Sequence, residues 1–336
     1  MSSDQPYSGL TPDAVLDALQ SVGLHGDGRL LTLNSYENRV FQVHLDDARV
    51  VVAKFYRAGR WSDEQILEEH GFAHELSAAE VPVVAPLILH PADANTQVLG
   101  EPPTLVRHAI WRFAVTPRQG GRAPELDDPQ VLVRLGRFIA RLHVVGARRP
   151  FVHRRRLDVA CTGRPARDWL LAHERVVPEQ RAVWQGAADR ALDLAQEAFD
   201  GLPDLAFLRA HGDCHLGNIL WTDDGPHFVD LDDACMAPAV QDLWMMLSGS
   251  DADMRAQWRC LLSGYEDVAD FDDRQWRLIE ALRTVRLLHH SAWLAQRWSD
   301  PAFPAAFTSF GTPAYWSEQT QLLLQQVDAM RQAAGA

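Results

Sequence analysis

The stretch His211-Gly-Asp-Cys-His-Leu-Gly-Asn218, with Ile219-Leu-Trp221 behind it, organises this chain. It sets a carboxylate, Asp213, five residues ahead of an amide, Asn218. A second carboxylate, Asp230, lies in the apolar run His227-Phe-Val-Asp-Leu231. Phosphoryl transfer to a hydroxyl asks for these parts: a carboxylate to take the hydroxyl proton, and oxygen ligands for Mg2+. Asp213 is expected as the catalytic base, and Asn218 with Asp230 as the metal ligands. Asp213 need not be a strong base, because in a loose transition state the hydroxyl loses its proton late. Asp232 and Asp233 follow closely and would reach a second metal or a cationic substrate, or face water. The alternating donors His211, Asp213 and His215 also allow a zinc hydrolase, but that reading leaves Asn218 and Asp230 without a role.

One residue outside the stretch supports phosphoryl transfer. Lys and Arg together number 32, yet Lys54 is the only lysine. An ammonium is a compact point charge and a guanidinium a wide planar fork, so the two are not interchangeable at a phosphate. The strand signals Arg29-Leu-Leu-Thr-Leu33, Arg39-Val-Phe-Gln-Val-His44 and Arg49-Val-Val-Val-Ala-Lys-Phe-Tyr56 predict three antiparallel strands, with Lys54 near the end of the third. That is the order of a kinase N-lobe, in which the strand lysine contacts the nucleotide's phosphates. The turn Asn34-Ser-Tyr-Glu-Asn38 stands where a glycine-rich phosphate loop is expected and has no glycine. The side chains of Ser35 and Asn38 would then supply hydrogen bonds to ATP, unless this is a plain hairpin turn.

Ser62 to Leu76 predicts a helix with a capping box of Ser62 and Gln65. A kinase pairs its strand lysine with a Glu on this helix. Glu69 is the expected partner, with Glu68 as the alternative. Val81 to Leu89 is an extended run broken by prolines and leading into a strand, Asp93 to Gly100 a turn, and Thr104–His108 and Ile110–Thr116 two further strands. Past Pro117 and Gly120-Gly121 the chain turns helical, beginning with Pro129 to His143. The arginines 148, 149, 154, 155 and 156 are expected on a solvated face, with a phosphate- or partner-contacting role as the alternative. The fold expected is α+β and bilobal, of the protein-kinase type: an antiparallel-sheet N-lobe with one helix over residues 1–116, and a mostly helical C-lobe with the acceptor site over 117–336.

Composition bounds the rest. A net charge of −13 argues against non-specific nucleic-acid binding and eases the approach of cationic substrates or basic partners. No apolar run is long enough to span a membrane, and the opening Met-Ser-Ser-Asp-Gln-Pro lacks the regions of a signal peptide. Four scattered cysteines fit a reduced, cytoplasmic protein. A monomer is expected. Cys214, beside Asp213, is a candidate for inhibitory oxidation or an inert buried thiol.

His-Gly-Asp-x-His-x-Gly-Asn resembles the catalytic loop of the aminoglycoside phosphotransferase and choline kinase superfamily. More narrowly the chain resembles the bacterial stress response kinase A family, through Leu33-Asn-Ser-Tyr-Glu-Asn-Arg-Val-Phe-Gln42, Asp63-Glu-Gln-Ile-Leu-Glu-Glu-His70, Gly120-Gly-Arg122, His211-Gly-Asp-Cys-His215, Phe228-Val-Asp-Leu-Asp-Asp-Ala234 and Pro238-Ala-Val-Gln-Asp-Leu-Trp244. The resemblance covers nearly the whole chain. It implies ATP-dependent phosphorylation of Ser or Thr in proteins, in surviving stress. It also implies that Asp213 and Asp230 are active-site residues, that Asn218 and Asp230 bind Mg2+, that Ser35 touches ATP, and that Asp242 braces the catalytic loop. Leu216 stands where many relatives have Pro, which bears on loop stiffness. The alternative is a small-molecule kinase of the aminoglycoside, choline or homoserine type, since residue physics hardly separates the two acceptors.

Overall fold

A computed structural model of the chain describes residues 6–335, so the opening residues 1–5 read above lie outside it. The chain forms two compact units. The first runs to Asp127 and includes Val152–Arg154 and His215–Asp233; the second holds Asp128–Phe151, Arg155–Cys214 and the chain from Ala234 onward. This division differs from the expected boundary after Thr116, because later segments are tied back into the first unit. Arg122 and Trp221 exchange backbone hydrogen bonds of 3.0 and 2.7 Å, Val83 bridges Phe228, and Glu68 accepts from the backbone N–H groups of residues 152–154.

The first unit begins with α1 (Pro12–Gln20), capped by Thr11 with Pro12 in the first turn. Strands β1 (Gly26–Leu33), β2 (Arg39–Leu45) and β3 (Val50–Phe55) follow, then α2 (Asp63–Ala78), then β4 (Thr96–Val98), β5 (Val106–His108) and β6 (Trp111–Pro117). They form one antiparallel sheet in the order β1-β2-β3-β6-β5-β4. The short β4 lies in what composition marks as a turn. The run Val81 to Leu89 forms no strand of its own; the prolines in it remove ladder donors, and it makes only a single bridge at Val83.

Side chains alternate along β3. Val51, Ala53 and Phe55 enter the larger apolar core with α1, while Lys54 points to the opposite side. There Tyr56, Ile66, Leu105 and Ala114 form a second, smaller core under α2. With apolar packing on both faces, β3 reads as a continuous apolar run that one ammonium interrupts. A hairpin of β8 (Ile219–Thr222) and β9 (Gly225–Phe228) completes this unit.

The second unit is helical: α3 (Pro129–Gly146), α4 (Arg164–Ala172), α5 (Pro178–Asp200), α6 (Val240–Trp244), α7 (Asp251–Glu266), α8 (Ile279–Gln296), α9 (Ala302–Ala306) and α10 (Pro313–Gly335), with a two-strand ribbon of β7 (Leu208–Ala210) and β10 (Cys235–Ala237). Tryptophans help to fill its core: Trp184 of α5 and Trp316 of α10 meet edge to face at 5.4 Å, both fully buried. The arginine cluster departs from the expected solvated face. Arg148, Arg149 and Arg156 are exposed, but Arg154 is buried and Arg155 is half-buried.

Helices α3 and α7 cross closely through two glycines. A Cβ on Gly264 would stand 1.8 Å from the Val133 carbonyl oxygen, and one on Gly136 would stand 1.9 Å from that of Leu261. Ala in a helix interior gains about 1 kcal/mol over Gly. Forcing atoms into a packed contact costs about 1–3 kcal/mol or more, and here the obstacle is backbone. Gly264→Ala is therefore expected to destabilise the protein by about 2 kcal/mol, read as a lower urea midpoint; an unchanged or raised midpoint would contradict this crossing.

Candidate active site

The hairpin of β8 and β9 positions the expected metal ligands of the first unit. Ile219 pairs with Phe228, and one step beyond, the Val229 N–H donates to the Asn218 carbonyl at 3.0 Å. Asn218 and Asp230 therefore flank the open end of the same hairpin. Asp230 has a left-handed backbone, φ 59°, a conformation that Asp adopts more readily than most residues and that concentrates at functional sites. The Lys54 ammonium donates to Asp230 Oδ1 at 2.9 Å and lies 3.8 Å from Asp232. Burial works against the ammonium, yet these two carboxylates overcome it and hold its pKa well above the usual lysine value.

The two carboxylates differ in availability. Asp230 keeps 52% of its side chain exposed and Asp232 only 5%. Asp232 accepts from Asn38 Nδ2 at 3.0 Å and from the Arg60 guanidinium. Asp233 takes both its oxygens to Arg60 Nη2 at 3.0 Å. Against its burial, Arg60 and then Lys54 hold the Asp232 carboxyl below the ordinary carboxylate range. Asp232 and Asp233 are thus ion-pair partners of Arg60, and the solvent-facing carboxylate with a neighbouring amide is the Asp230–Asn218 set. That set fits Mg2+, which binds through one or two protein oxygens and retains water.

Two residues expected on the nucleotide side have protein partners in this structure. Asn38 is buried and occupied at both ends of its amide: Nδ2 serves Asp232, and Oδ1 accepts the Arg57 N–H at 3.2 Å. It fixes the turn between β1 and β2. Ser35, in the same turn, is part-exposed. Glu69 does not ion-pair with Lys54 in this structure; its ion-pair partner is Arg154, at 3.6 Å. Glu68 is not the lysine's partner either, since its carboxylate accepts the N–H groups of Val152, His153 and Arg154. Burial pushes the Glu69 carboxyl up to about 7, against the pull of Lys54 and Arg154.

In the second unit the organising group is Asp242 of α6. It is fully buried and accepts the backbone N–H of His211 at 2.7 Å, that of Gly212 at 2.9 Å, and His143 Nε2 at 3.1 Å. These partners hold its carboxyl below the usual range although burial opposes them. Asp242 therefore braces the loop as expected. Asp213 follows, with Arg286 Nη1 of α8 donating to its Oδ1 at 2.6 Å. Nothing near residue 213 in sequence signals Arg286, and helix packing supplies it. Arg60 was likewise missed, whereas Arg154 was visible only as part of the arginine cluster.

Cys214 is buried, and burial, then Asp242 and Asp213, push its thiol well above the usual range. A protonated, enclosed thiol is a poor target for oxidation. Of the donors in the zinc reading, His211 is fully buried and His215 Nδ1 accepts the Gly217 N–H at 2.9 Å. Among the described residues no group of three or more His, Cys, Asp and Glu side chains is arranged to hold a metal, and no helix is long and apolar enough to cross a membrane.

The model of a phosphotransferase enzyme family, abbreviated APH, matches residues 29–282. Stress response kinase A of Salmonella typhi is 42% identical over 333 residues, covering 97% of this chain and 95% of that protein. A protein named serine/threonine protein kinase RdoA, from Salmonella typhimurium strain LT2, is 42% identical with the same coverage. Stress response kinase A of Escherichia coli strain K12 is 40% identical over 331 residues, again 97% and 95%. Among solved structures, amicoumacin kinase hAmiN in complex with AMP-PNP, Ca2+ and Ami is similar with a TM-score of 0.69 at 17% identity, covering 94% of this chain and 93% of that one. A microcompartment-associated aminopropanol kinase is similar at 0.67 and 18%, covering 97% and 98%. These two likenesses concern the fold.

The raised Glu69 carboxyl has a pH consequence. Between its ordinary value of 4.5 and about 7, the native protein holds a proton that the unfolded chain has lost. Stability from this group is therefore full below 4.5, falls as pH rises through 7, and is level above. Urea unfolding of wild type and Glu69→Gln across this window should show the wild type losing ground as pH rises; a pH-independent difference would contradict the assignment.

Proposed function

We propose, on the premise that the chain belongs to the phosphotransferase enzyme family and within it to the stress response kinase A family, that it phosphorylates Ser or Thr hydroxyls of proteins, in the cytoplasm and in response to stress. It is an ATP-dependent phosphotransferase. The observation that carries the reading is the only lysine of the chain lying on Asp230, at the open end of the hairpin that begins after Asn218. Support for a protein acceptor comes from the near full-length relative named a serine/threonine protein kinase. Four free cysteines, two of them buried, suit a reducing compartment.

Asp213 accepts the proton of the acceptor hydroxyl as its oxygen bonds the γ-phosphorus of ATP, and the bond from that phosphorus to the β-phosphate oxygen breaks to leave ADP. Lys54 supplies a fixed positive charge to the phosphates, kept protonated by its carboxylate neighbours. Asn218 and Asp230 would hold Mg2+, which when bound neutralises phosphate charge. Asp242 keeps the backbone of His211 and Gly212 fixed, so that Asp213 does not have to be ordered during the reaction.

Incubation with labelled ATP, against proteins and against small alcohols including aminoglycosides, choline and homoserine, tests the acceptor. Label on protein Ser or Thr is expected; label confined to a small alcohol would overturn the protein reading. Asp213→Asn is expected to lower phosphotransfer about 10²–10⁴-fold, the usual contribution of a positioned base, while retaining ATP binding. Unchanged transfer by that variant would remove Asp213 from the role.

A further inference from the structure

Helix α8 continues away from the catalytic base with an unusual surface. Arg286, bonded to Asp213, is followed at helical spacing by His290, Trp293 and Arg297, the last capping the helix. Steps of four, three and four residues keep these side chains on one face. Arg286 and His290 are exposed, and Trp293 and Arg297 are partly so. The His290 and Trp293 rings stack at 5.6 Å, and the Arg297 guanidinium lies 5.9 Å from the Trp293 ring centre. Phe303 and Phe307 support Trp293 edge-on, at 5.0 and 5.8 Å. The result is two cations joined by aromatic surface, beginning at the base, in a chain whose net charge is −13.

We propose that this face docks the acceptor as an acidic segment of extended polypeptide, its Asp or Glu side chains meeting Arg286 and Arg297. The inference rests on the protein-kinase reading and adds the acceptor's charge to it. Charge complementarity carries it, because the face that leads from Asp213 presents two guanidinium groups although the protein as a whole is anionic. Its length agrees: eleven residues of helix rise roughly 16 Å, the span of about five extended residues. Arg286 also gains a role at the base. One of its five N–H donors goes to Asp213 Oδ1. An acceptor carboxylate competes for that guanidinium and leaves Asp213 Oδ1 to the hydroxyl, so an acidic acceptor exposes the base that will deprotonate it. Arg286 is in this sense a positioning residue, while Arg297 only selects.

The test uses the full chain with Mg·ATP and three Ser peptides that differ only in their flanks: Glu, Gln or Lys. Wild type is expected to favour the Glu peptide over the Gln peptide about tenfold in kcat/KM. Arg297→Glu should reduce that ratio to about one and raise the Lys peptide above the Gln peptide, a reversal that general damage to the fold does not produce. Arg286→Gln should also narrow the Glu/Gln ratio. Equal rates on Glu and Gln peptides in wild type, or a preference unchanged in Arg297→Glu, would overturn the docking face and leave the protein-kinase reading standing. Phosphate on small alcohols and on no peptide or protein would overturn both.

Discussion

A single buried carboxylate, Asp232, holds together the charged cluster of the first unit. It lies among Arg60, Asn38 and Lys54, which come from three different stretches of chain. Removing such a group leaves its cations buried without a counter-charge, a loss of about 3–5 kcal/mol in comparable cases. Its partners explain much of the local architecture. Asn38 ties the turn after β1 to the segment after β9, Arg60 joins Asp233 to the same cluster, and Arg154 donates to the Asp232 carbonyl while lying 4.6 Å over Trp61. A turn without glycine can still keep one shape here, because side-chain hydrogen bonds replace the backbone freedom that a glycine-rich loop would have used.

The same economy of means recurs at the other half of the catalytic stretch. Asp242 satisfies two consecutive backbone N–H groups with its two oxygens and takes a third donor from His143, whose Nδ1 in turn lies 3.0 Å from the Tyr265 hydroxyl. Buried polar groups stabilise only when all are satisfied, and then they specify one arrangement. Asp232 does work similar to that of Asp242, through ion pairs as well as hydrogen bonds. Each is enclosed, each is kept ionised by its neighbours, and each leaves a more accessible carboxylate to act: Asp230 in one unit and Asp213 in the other.

Much of the candidate site was legible because its members are close in sequence or sit on a strong periodic signal. Asp213, Asn218 and Asp230 fall within one short stretch, and Lys54 interrupts an apolar strand in a chain with no other lysine. The helix of Glu69 carried its capping box openly, and Ser62 and Gln65 form it. Asn38 and Glu69 were found as polar residues, but the partners they have in the fold were not legible. Asn38 meets a carboxylate 194 positions away, and Glu69 lies beside an arginine that follows the next long helix. Arg154 looked like part of a solvated cluster, because spacing along the chain does not reveal which of several arginines turns inward.

The amino-acid order therefore determined the reaction class, the strand that bears the chain's one lysine, and the loop that bears Asp213. Each of these follows from local chemistry: period-two burial, turn residues, and acid and amide at fixed offsets. Three-dimensional packing decided which charged groups remain free to act. Arg60 takes Asp232 and Asp233, Arg286 takes one oxygen of Asp213, and Lys54 goes to Asp230 while Glu69 turns to Arg154. A charge in a partly dry interior is governed by whichever opposite charge lies nearest in space, and chain order does not specify that distance.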